Sequence, residues 1–121
     1  MPLSYDLHSH SSASDGSFSP TELVQYAHLN GVNVLALTDH DITAGIAEAI
    51  QASHALELSV IAGVEISVIW RKQTLHILGL NIDIENNELQ IGLEQIRHSR
   101  VQRAQEIGKR LEKAGIADTY A

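Results

Sequence analysis

Residues 32–41 read Val-Asn-Val-Leu-Ala-Leu-Thr-Asp-His-Asp, a nearly continuous apolar run that ends in three ionisable side chains. A run of this kind predicts a strand over residues 32–38 that is covered on both faces, as in the parallel sheets of α/β proteins. In such sheets, functional groups collect at the carboxyl ends of the strands. We therefore expect an α/β fold whose functional site includes the segment Asp39-His40-Asp41.

The sequence on either side of this strand alternates strand and helix signals. Before it, Ser19-Pro20-Thr21-Glu22 has the pattern of a capping box with proline at the first helical position, and Gly31 is expected to end that helix. The order strand–helix–strand–helix–strand, followed by a hairpin, favours a parallel sheet or barrel. The expected elements are strands at 4–10, 32–38 and 58–62, helices at 20–30 and 43–57, a hairpin of strands 64–70 and 74–80 about residues 71–73, and a long helix that begins near Asn86 or Asn87 and ends at Gly115.

Composition excludes several classes of function. The 121 residues include no cysteine, which excludes disulfides and thiolate metal sites. The net charge of −7 argues against a broad basic surface for nucleic acid, so an anionic substrate would need local cations such as metal ions or a few arginines. No stretch reaches the ~20 apolar residues of a membrane span, and the first residues lack a secretory pattern. We expect a cytoplasmic protein without a membrane partner.

The pair His8 and His10 is the first chemical signal. Side chains two apart on a strand point the same way, so both imidazoles could reach one cation, at about 2.0–2.1 Å each for zinc. Taken alone, the pair is equally compatible with two exposed histidines near a chain end.

Further ionisable residues follow the next predicted turns. Asp15 precedes Gly16 in a loop and could bind a second ion or orient a histidine, although alone it is better explained as a turn residue. At the end of the apolar strand, His40 is the expected ligand and Asp39 could hold its other ring nitrogen. Asp41 could instead cap the following helix.

Two ionisable residues interrupt apolar runs. Glu65 lies within Val-Ile-Ala-Gly-Val-Glu-Ile, where burial is unfavourable unless the carboxylate is paired or bound to metal. His76 lies within Leu-His-Ile-Leu-Gly-Leu and could equally be a satisfied core histidine. With the residues above, these two give six candidate ligands, all of which supply nitrogen or oxygen and suit zinc, manganese or iron. Glu65 could bridge two ions, and a pair of bridged ions can stabilise both the attacking and the leaving oxygen in a displacement at phosphorus. The candidate ligands are His8, His10, Asp15, His40, Glu65 and His76, whereas His28, His54 and His98 lie on predicted helices and have no such pattern.

Three arginines occupy unusual positions on the predicted long helix. Helical spacing places Arg97 and Arg100 within its apolar stripe and Arg103 at the edge of that stripe. They could extend to the rim of the core, or they could form an anion pocket in which guanidinium groups bind phosphate oxygens. Spacing alone does not separate these two explanations.

Five motifs together resemble the opening part of the PHP (polymerase and histidinol phosphatase) family. The resemblance implies a distorted (β/α)₇ barrel with a trinuclear centre of divalent ions, in which the six candidates are metal ligands and Glu65 bridges. Asp15 and His40 are also expected to take part in catalysis. The motifs are Asp6-Leu7-His8-Ser9-His10, Ser14-Asp15-Gly16, Leu37-Thr38-Asp39-His40-Asp41, Gly63-Val64-Glu65-Ile66-Ser67 and His76-Ile77-Leu78-Gly79.

Within the family, the sequence is most similar to 3′,5′-nucleoside bisphosphate phosphatases, which are related to 5′–3′ exoribonucleases. That subgroup implies a helical insertion over the site, so we expect residues 1–84 to form part of the barrel and residues 85–121 to begin the insertion. Arg100, together with Arg103 and Arg97, would contact substrate phosphate. The implied activity is attack of metal-bound hydroxide on phosphate esters of nucleotides or short RNA.

One departure from the family pattern shapes the remaining expectations. The family uses a further histidine and an Asp-x-His pair that would lie beyond residue 121. We therefore expect an N-terminal fragment that is catalytically inert on its own and prone to self-association. Two alternatives remain open, a histidinol-phosphate phosphatase and a non-catalytic metal-binding or regulatory module. Continuation of the reading frame into the further ligands would discriminate against the second.

Overall fold

A four-stranded sheet with three helices makes up the computed structural model, which describes residues 2–120. The strands lie in the order β1-β2-β3-β4. The sequence therefore predicted the α/β class and, apart from one strand that it divided in two, the order of the elements. In chain order these are β1 (Tyr5–Ser9), α1 (Pro20–Leu29), β2 (Val34–Leu37), α2 (Ile46–Ser53), β3 (Ser59–Trp70), β4 (Gln73–Leu80) and α3 (Asn87–Lys113).

The sheet joins two different kinds of pairing. Strands β1, β2 and β3 are parallel, with Tyr5 opposite Val34 and Val34 opposite Ser59. Strand β4 returns antiparallel to β3. Helices α1 and α2 each connect a pair of parallel neighbours. Since parallel strands run in the same direction, the carboxyl ends of β1 and β2 lie at the same edge of the sheet. Four of the expected ligands lie at or just beyond those ends, whereas Glu65 and His76 lie within β3 and β4.

The core lies where α1 and α2 pack against the sheet. The predicted capping box begins α1: the Glu22 N–H donates to Ser19 Oγ at 3.1 Å, and the Ser19 N–H donates to Glu22 Oε1 at 3.2 Å. Seven aliphatic side chains form a buried cluster at this interface. Their removal from water is the main stabilising contribution in so small a unit. The buried cluster consists of Val24, Ala27, Leu35, Leu37, Ile46, Ala49 and Leu58.

The prediction of two separate strands at 58–62 and 64–70 was wrong. The structure has one strand, β3, that pairs with β2 through residues 59–62 and with β4 through residues 63–70. Gly63 permits the close approach at the junction, since a Cβ there would lie 2.8 Å from Thr38 Cγ2 and 2.9 Å from the carbonyl oxygen of Gly79. The glycine therefore allows close packing within a strand and does not end it.

The β3–β4 turn is tighter than predicted. It consists of Arg71 and Lys72 alone, both with positive φ (49° and 64°), and Gln73 already belongs to β4. Two central residues with positive φ are the hallmark of the hairpin turn whose twist matches that of the strands. Neither residue is one of the usual Asn or Gly types, so the sequence predicted the hairpin but not that its turn has only two residues.

Helix α2 is shorter at both ends than the predicted 43–57. It begins at Ile46 after Gly45, which contributes no side-chain cap, and it ends at Ser53. Residues 54–56 form a turn instead. Since no capping residue stands at either end, periodicity alone set the predicted bounds and overextended them.

The long helix α3 begins and ends where expected, but only part of its apolar stripe is buried. Asn86 caps it by accepting from the Leu89 N–H, and Gly115 follows it with φ 96°. Leu93 is 1% exposed, whereas Ile107, nearly four turns further on, is 46% exposed. Across residues 2–120, no helix has the length and apolar character needed to cross a membrane.

Candidate metal centre

All six predicted ligands lie together in three overlapping groups. In each group, one ligand atom from every residue lies within 4.8 Å of the others. We name the groups the His8 trio, the Asp15 trio and the His76 trio. They consist of His8, His10 and Glu65; of His10, Asp15 and His40; and of His40, Glu65 and His76.

Glu65 occupies the middle of the cluster and is 5% exposed. Its Oε1 lies 2.6 Å from His8 Nε2 and 3.8 Å from His10 Nε2. Its Oε2 lies 2.9 Å from His40 Nδ1 and 3.5 Å from His76 Nδ1. One carboxylate oxygen therefore serves each pair of imidazoles, an arrangement that suits a carboxylate shared between two ions.

The backbone explains why His40 and Glu65 are neighbours. The ladder between β2 and β3 continues past the end of β2, because the Glu65 N–H donates to the carbonyl oxygen of Asp39 at 3.0 Å and the Asp41 N–H donates to that of Glu65 at 3.0 Å. His40 and Glu65 thereby form a parallel bridge pair. Side chains at such a pair project from the same face of a sheet.

The donor atoms fit a divalent cation. His8 Nε2 and His10 Nε2 lie 3.1 Å apart, and two nitrogens bound to one tetrahedral zinc would be roughly 3.3–3.4 Å apart. Among the described residues, the buried Nδ1 of His10 has no hydrogen-bond partner. Buried polar atoms are rarely left unsatisfied, so this nitrogen is available to a ligand. The set of four imidazoles and two carboxylates has the chemistry of zinc, manganese or iron sites.

A tight loop after β1 places Asp15 against His40. Asp15 Oδ2 lies 3.3 Å from His40 Nε2, and its side chain is 64% exposed. The loop folds back so closely that a Cβ at Gly16 would lie 2.3 Å from the carbonyl oxygen of His10. Glycine is therefore required at residue 16, and the Asp-Gly turn signal and the candidate ligand belong to one structure.

The sequence suggested that Asp39 could hold the ring of His40, but the structure shows that it does not. Its Oδ1 accepts from the Ser11 N–H at 2.6 Å and the Ser14 hydroxyl at 2.8 Å, and its Oδ2 accepts from the Ser11 hydroxyl at 2.7 Å. Consecutive residues of an extended segment point to opposite faces, so Asp39 faces away from His40. Asp39 instead anchors the loop that carries Asp15.

Asp41 does not cap α2 and has a role that the sequence did not suggest. It is fully buried and has φ 55°, and its Oδ1 accepts from the Ser67 N–H at 2.8 Å. Its carbonyl oxygen accepts from Arg97 Nη1 at 2.8 Å. An aspartate just beyond a strand end gives no sign in the sequence of these partners, which lie 26 and 56 residues away.

An open cleft of about 920 Å³ joins the cluster to helix α3. Arg100 is half-exposed, and its Nη2 lies 3.3 Å from Asp41 Oδ2. Arg97, Arg100 and Arg103 all line this cleft, so they face the same space as the candidate ligands and do not simply extend into solvent. The ionisable residues that line the cleft are Asp15, His40, His76, Arg97, Arg100 and Arg103.

Fold and site together define a class: an α/β protein with a cluster of histidines and carboxylates at the carboxyl edge of its sheet, suited to divalent metal. Residues 6–116 match the family model of the PHP domain, and the chain belongs to this family. The resemblance predicted from the five motifs is therefore confirmed.

The relatives in this family share about half of their matched residues with the chain. A 5′-3′ exoribonuclease from Haemophilus influenzae is 51% identical over 120 residues, covering 99% of this chain and 44% of the relative. A 3′,5′-nucleoside bisphosphate phosphatase from Chromobacterium violaceum is 46% identical over 115 residues, covering 95% and 40%. The chain thus spans less than half the length of these relatives.

A solved structure supports the same assignment at the level of the fold. An amidohydrolase from Chromobacterium violaceum, solved with bound sulfate and no metal, matches with a TM-score of 0.86 at 46% identity. The match covers 95% of this chain and 40% of that one. The predicted fold class, part of a PHP-type α/β fold, is confirmed.

Proposed function

We propose that the protein is a metal-dependent phosphoesterase that hydrolyses phosphate esters of nucleotides, either 3′,5′-nucleoside bisphosphates or short RNA. The observation that carries the proposal is the cleft in which Asp15, His40 and His76, which belong to the cluster of candidate ligands, lie opposite three arginines. Relatives named as an exoribonuclease and a nucleoside bisphosphate phosphatase support the choice of substrate. They do not favour the alternatives of a histidinol-phosphate phosphatase or a non-catalytic module.

The six clustered residues would hold the ions, up to three of manganese, zinc or iron. When bound, divalent ions supply an activated water and neutralise charge at phosphorus. Glu65 would tie two ions together, since its two oxygens face different histidine pairs. Asp15 and His40, which pair at the open wall of the cleft, would contact the reacting groups directly as well as holding metal.

The arginines would bind and orient the substrate phosphate. A guanidinium presents several N–H donors in a planar fork that matches phosphate oxygens. Arg100 is the best placed, because half of its side chain is exposed to the cleft. Arg103 and Arg97 also line this space, although Arg97 already donates one N–H to a backbone carbonyl. The bound sulfate of the related solved structure agrees with anion binding in this family.

We also propose that residues 1–84 form part of the metal-binding barrel and that residues 85–121 begin an insertion that covers the site. Support comes from the first turns of α3, which approach the loop after His40. Gln90 Nε2 donates to Thr43 Oγ1 at 2.9 Å and to the carbonyl oxygen of Ile84 at 2.7 Å. These contacts place the helix along one wall of the cleft.

The test is an assay of the full-length protein with manganese on three substrates. We expect release of phosphate from adenosine 3′,5′-bisphosphate, or of nucleotides from a short 5′-phosphorylated RNA, and little turnover of histidinol phosphate. The matched control is the same preparation after treatment with a chelator, which should be inactive until metal is restored. Turnover that survives chelation, or a preference for histidinol phosphate, would refute the proposal.

A further inference from the structure

Asp41 connects three parts of the molecule. It directly follows the candidate ligand His40, its Oδ1 accepts from the Ser67 N–H of β3, and its carbonyl oxygen accepts from Arg97 of α3. It is fully buried and has a left-handed backbone conformation, with φ 55°. Non-glycine residues adopt this conformation rarely, and aspartate and asparagine adopt it most readily. The geometry at residue 41 is therefore held by its surroundings.

The two carboxylate oxygens of Asp41 have separate partners. Oδ1 is satisfied by the backbone of β3, whereas the buried Oδ2 has no hydrogen-bond partner among the described residues. The nearest cation to Oδ2 is Arg100, whose Nη2 lies 3.3 Å away in an ion pair without hydrogen-bond geometry. A buried carboxylate is unfavourable unless it is paired, so Arg100 is the group that compensates its charge.

The two members of the Asp41–Arg100 ion pair differ in exposure, and this difference favours binding of a ligand by Arg100. Asp41 is fully buried, while the Arg100 side chain is 51% exposed and lines the cleft. One edge of the guanidinium thus lies against the carboxylate, and its other donors have no hydrogen-bond partner among residues 2–120. An arginine that is free in solvent loses rotamer entropy when a ligand fixes it. A guanidinium that is already held loses less.

We propose that Asp41 is a positioning residue that holds Arg100 in the orientation in which it receives the substrate's phosphate. The inference rests on the proposed function, since it assumes a phosphate in the cleft. Arg97 strengthens the link, because it lies three residues before Arg100 on the same face of α3 and donates to the backbone of Asp41. The residue next to a candidate metal ligand therefore also sets the position of the phosphate-binding helix.

The test uses Asp41→Asn in the full-length, manganese-loaded protein. Asparagine keeps an acceptor for the Ser67 N–H and tolerates the left-handed conformation, but it removes the charge that holds Arg100. We expect an unchanged melting temperature and metal content, at least fivefold weaker binding of inorganic phosphate by calorimetry, and a KM raised more than kcat is lowered. The matched control is Asp118→Asn, which changes an exposed aspartate with φ 56° outside the cleft.

A double-mutant cycle shows whether Asp41 acts through Arg100. In an Arg100→Ala background, Asp41→Asn should weaken phosphate binding no further. An equal loss in both backgrounds would overturn the proposal, as would tighter phosphate binding by Asp41→Asn, because Asp41 would then restrain Arg100 from the ligand. A fall in melting temperature with unchanged phosphate affinity would leave Asp41 as a clamp for the turn and would also overturn it.

A further measurement separates this inference from the proposed function. Side-chain ¹⁵N relaxation of Arg100 reports whether its guanidinium is held, whatever the protein hydrolyses. We expect Arg100 to be more mobile in Asp41→Asn than in the wild type. Unchanged mobility would refute the role of Asp41, whereas increased mobility in a protein that hydrolyses no phosphate ester would refute the proposed function alone.

Discussion

Asp39, just past the end of β2, and Glu65, in the middle of β3, are both buried carboxylates, and they are satisfied in opposite ways. Asp39, 1% exposed, accepts three hydrogen bonds from Ser11 and Ser14, whose donors belong to the fold. Glu65, 5% exposed, meets only imidazole nitrogens among the described residues. A carboxylate with its own donors stabilises a loop. A carboxylate surrounded by histidines leaves lone pairs for a cation to satisfy.

The largest expected effect is on the Glu65 side of this comparison. Glu65→Gln should weaken the binding of manganese or zinc at least a thousandfold, about 4 kcal/mol, because it removes a ligand shared by two trios. The metal-free protein should unfold as the wild type does, since glutamine avoids a buried negative charge. Calorimetric titration with metal and urea unfolding of the metal-free form check both statements.

Glu57→Gln is the matched control for this change, since Glu57 is exposed and lies outside the three trios. It should alter neither metal affinity nor stability. If Glu65→Gln bound metal as tightly as the wild type, the contrast between the two buried carboxylates would not hold.

Asp39 should show the reverse behaviour. Asp39→Ala should lower the free energy of unfolding by about 3 kcal/mol, because it leaves the buried Ser11 N–H without its acceptor and releases the loop that carries Asp15. Asp39→Asn, which keeps one acceptor oxygen, should lower it less. Urea unfolding of the metal-free variants measures this order. A larger loss of stability for Asn than for Ala would contradict the view that Asp39 acts as an acceptor.

Arg100 is the positively charged side chain beside a third buried carboxylate, that of Asp41, and its removal should have a smaller effect than the changes at Glu65 and Asp39. Arg100→Ala in the full-length protein should reduce kcat/KM on phosphate substrates about tenfold, or 1.4 kcal/mol. Removal of the Arg100 side chain would open the Asp41 carboxylate to water of the cleft, and this water would then compensate its charge. The free energy of unfolding should therefore change by less than about 1 kcal/mol. Steady-state kinetics and thermal unfolding of the same preparation give both values.

Arg110→Ala serves as the control for this change, because Arg110 pairs with Glu106 on the exposed part of α3. It should leave kcat/KM unchanged. Should Arg100→Ala instead lose stability while each folded molecule keeps its activity, Arg100 would be an arginine that extends to the rim of the core and no more.

Local patterns in the sequence predicted the elements well, because caps and periodicity act within one turn of helix. The box at Ser19 and Glu22 and the cap at Asn86 both formed as expected. The six candidate ligands also lie together as predicted. Glu65 and His76, however, belong to the interiors of β3 and β4, whereas the sequence had led us to expect them at the carboxyl ends of strands. Gly63 was misinterpreted because a glycine that ends a strand and one that permits close packing look alike in a sequence.

Contacts between distant segments were beyond the sequence. Nothing near Asp39 indicates that its partners are serines of the loop after β1, and nothing near Asp41 indicates Arg100. Helical periodicity likewise predicts a stripe on α3 but not what packs against it. Leu93 is buried while Val101 and Ile107 are each 46% exposed.

The sharing of histidines among the three trios also limits how the centre can fill. His10 turns Nε2 toward the His8 trio and Nδ1 toward Asp15, and His40 turns Nε2 toward Asp15 and Nδ1 toward Glu65. A neutral imidazole has a single lone pair, because its other nitrogen carries a proton. An ion that takes this lone pair in one trio withdraws the histidine from the other. Ions bound at neighbouring trios would therefore compete for these side chains, and an ion that binds later would depend more heavily on water, substrate oxygens or other donors.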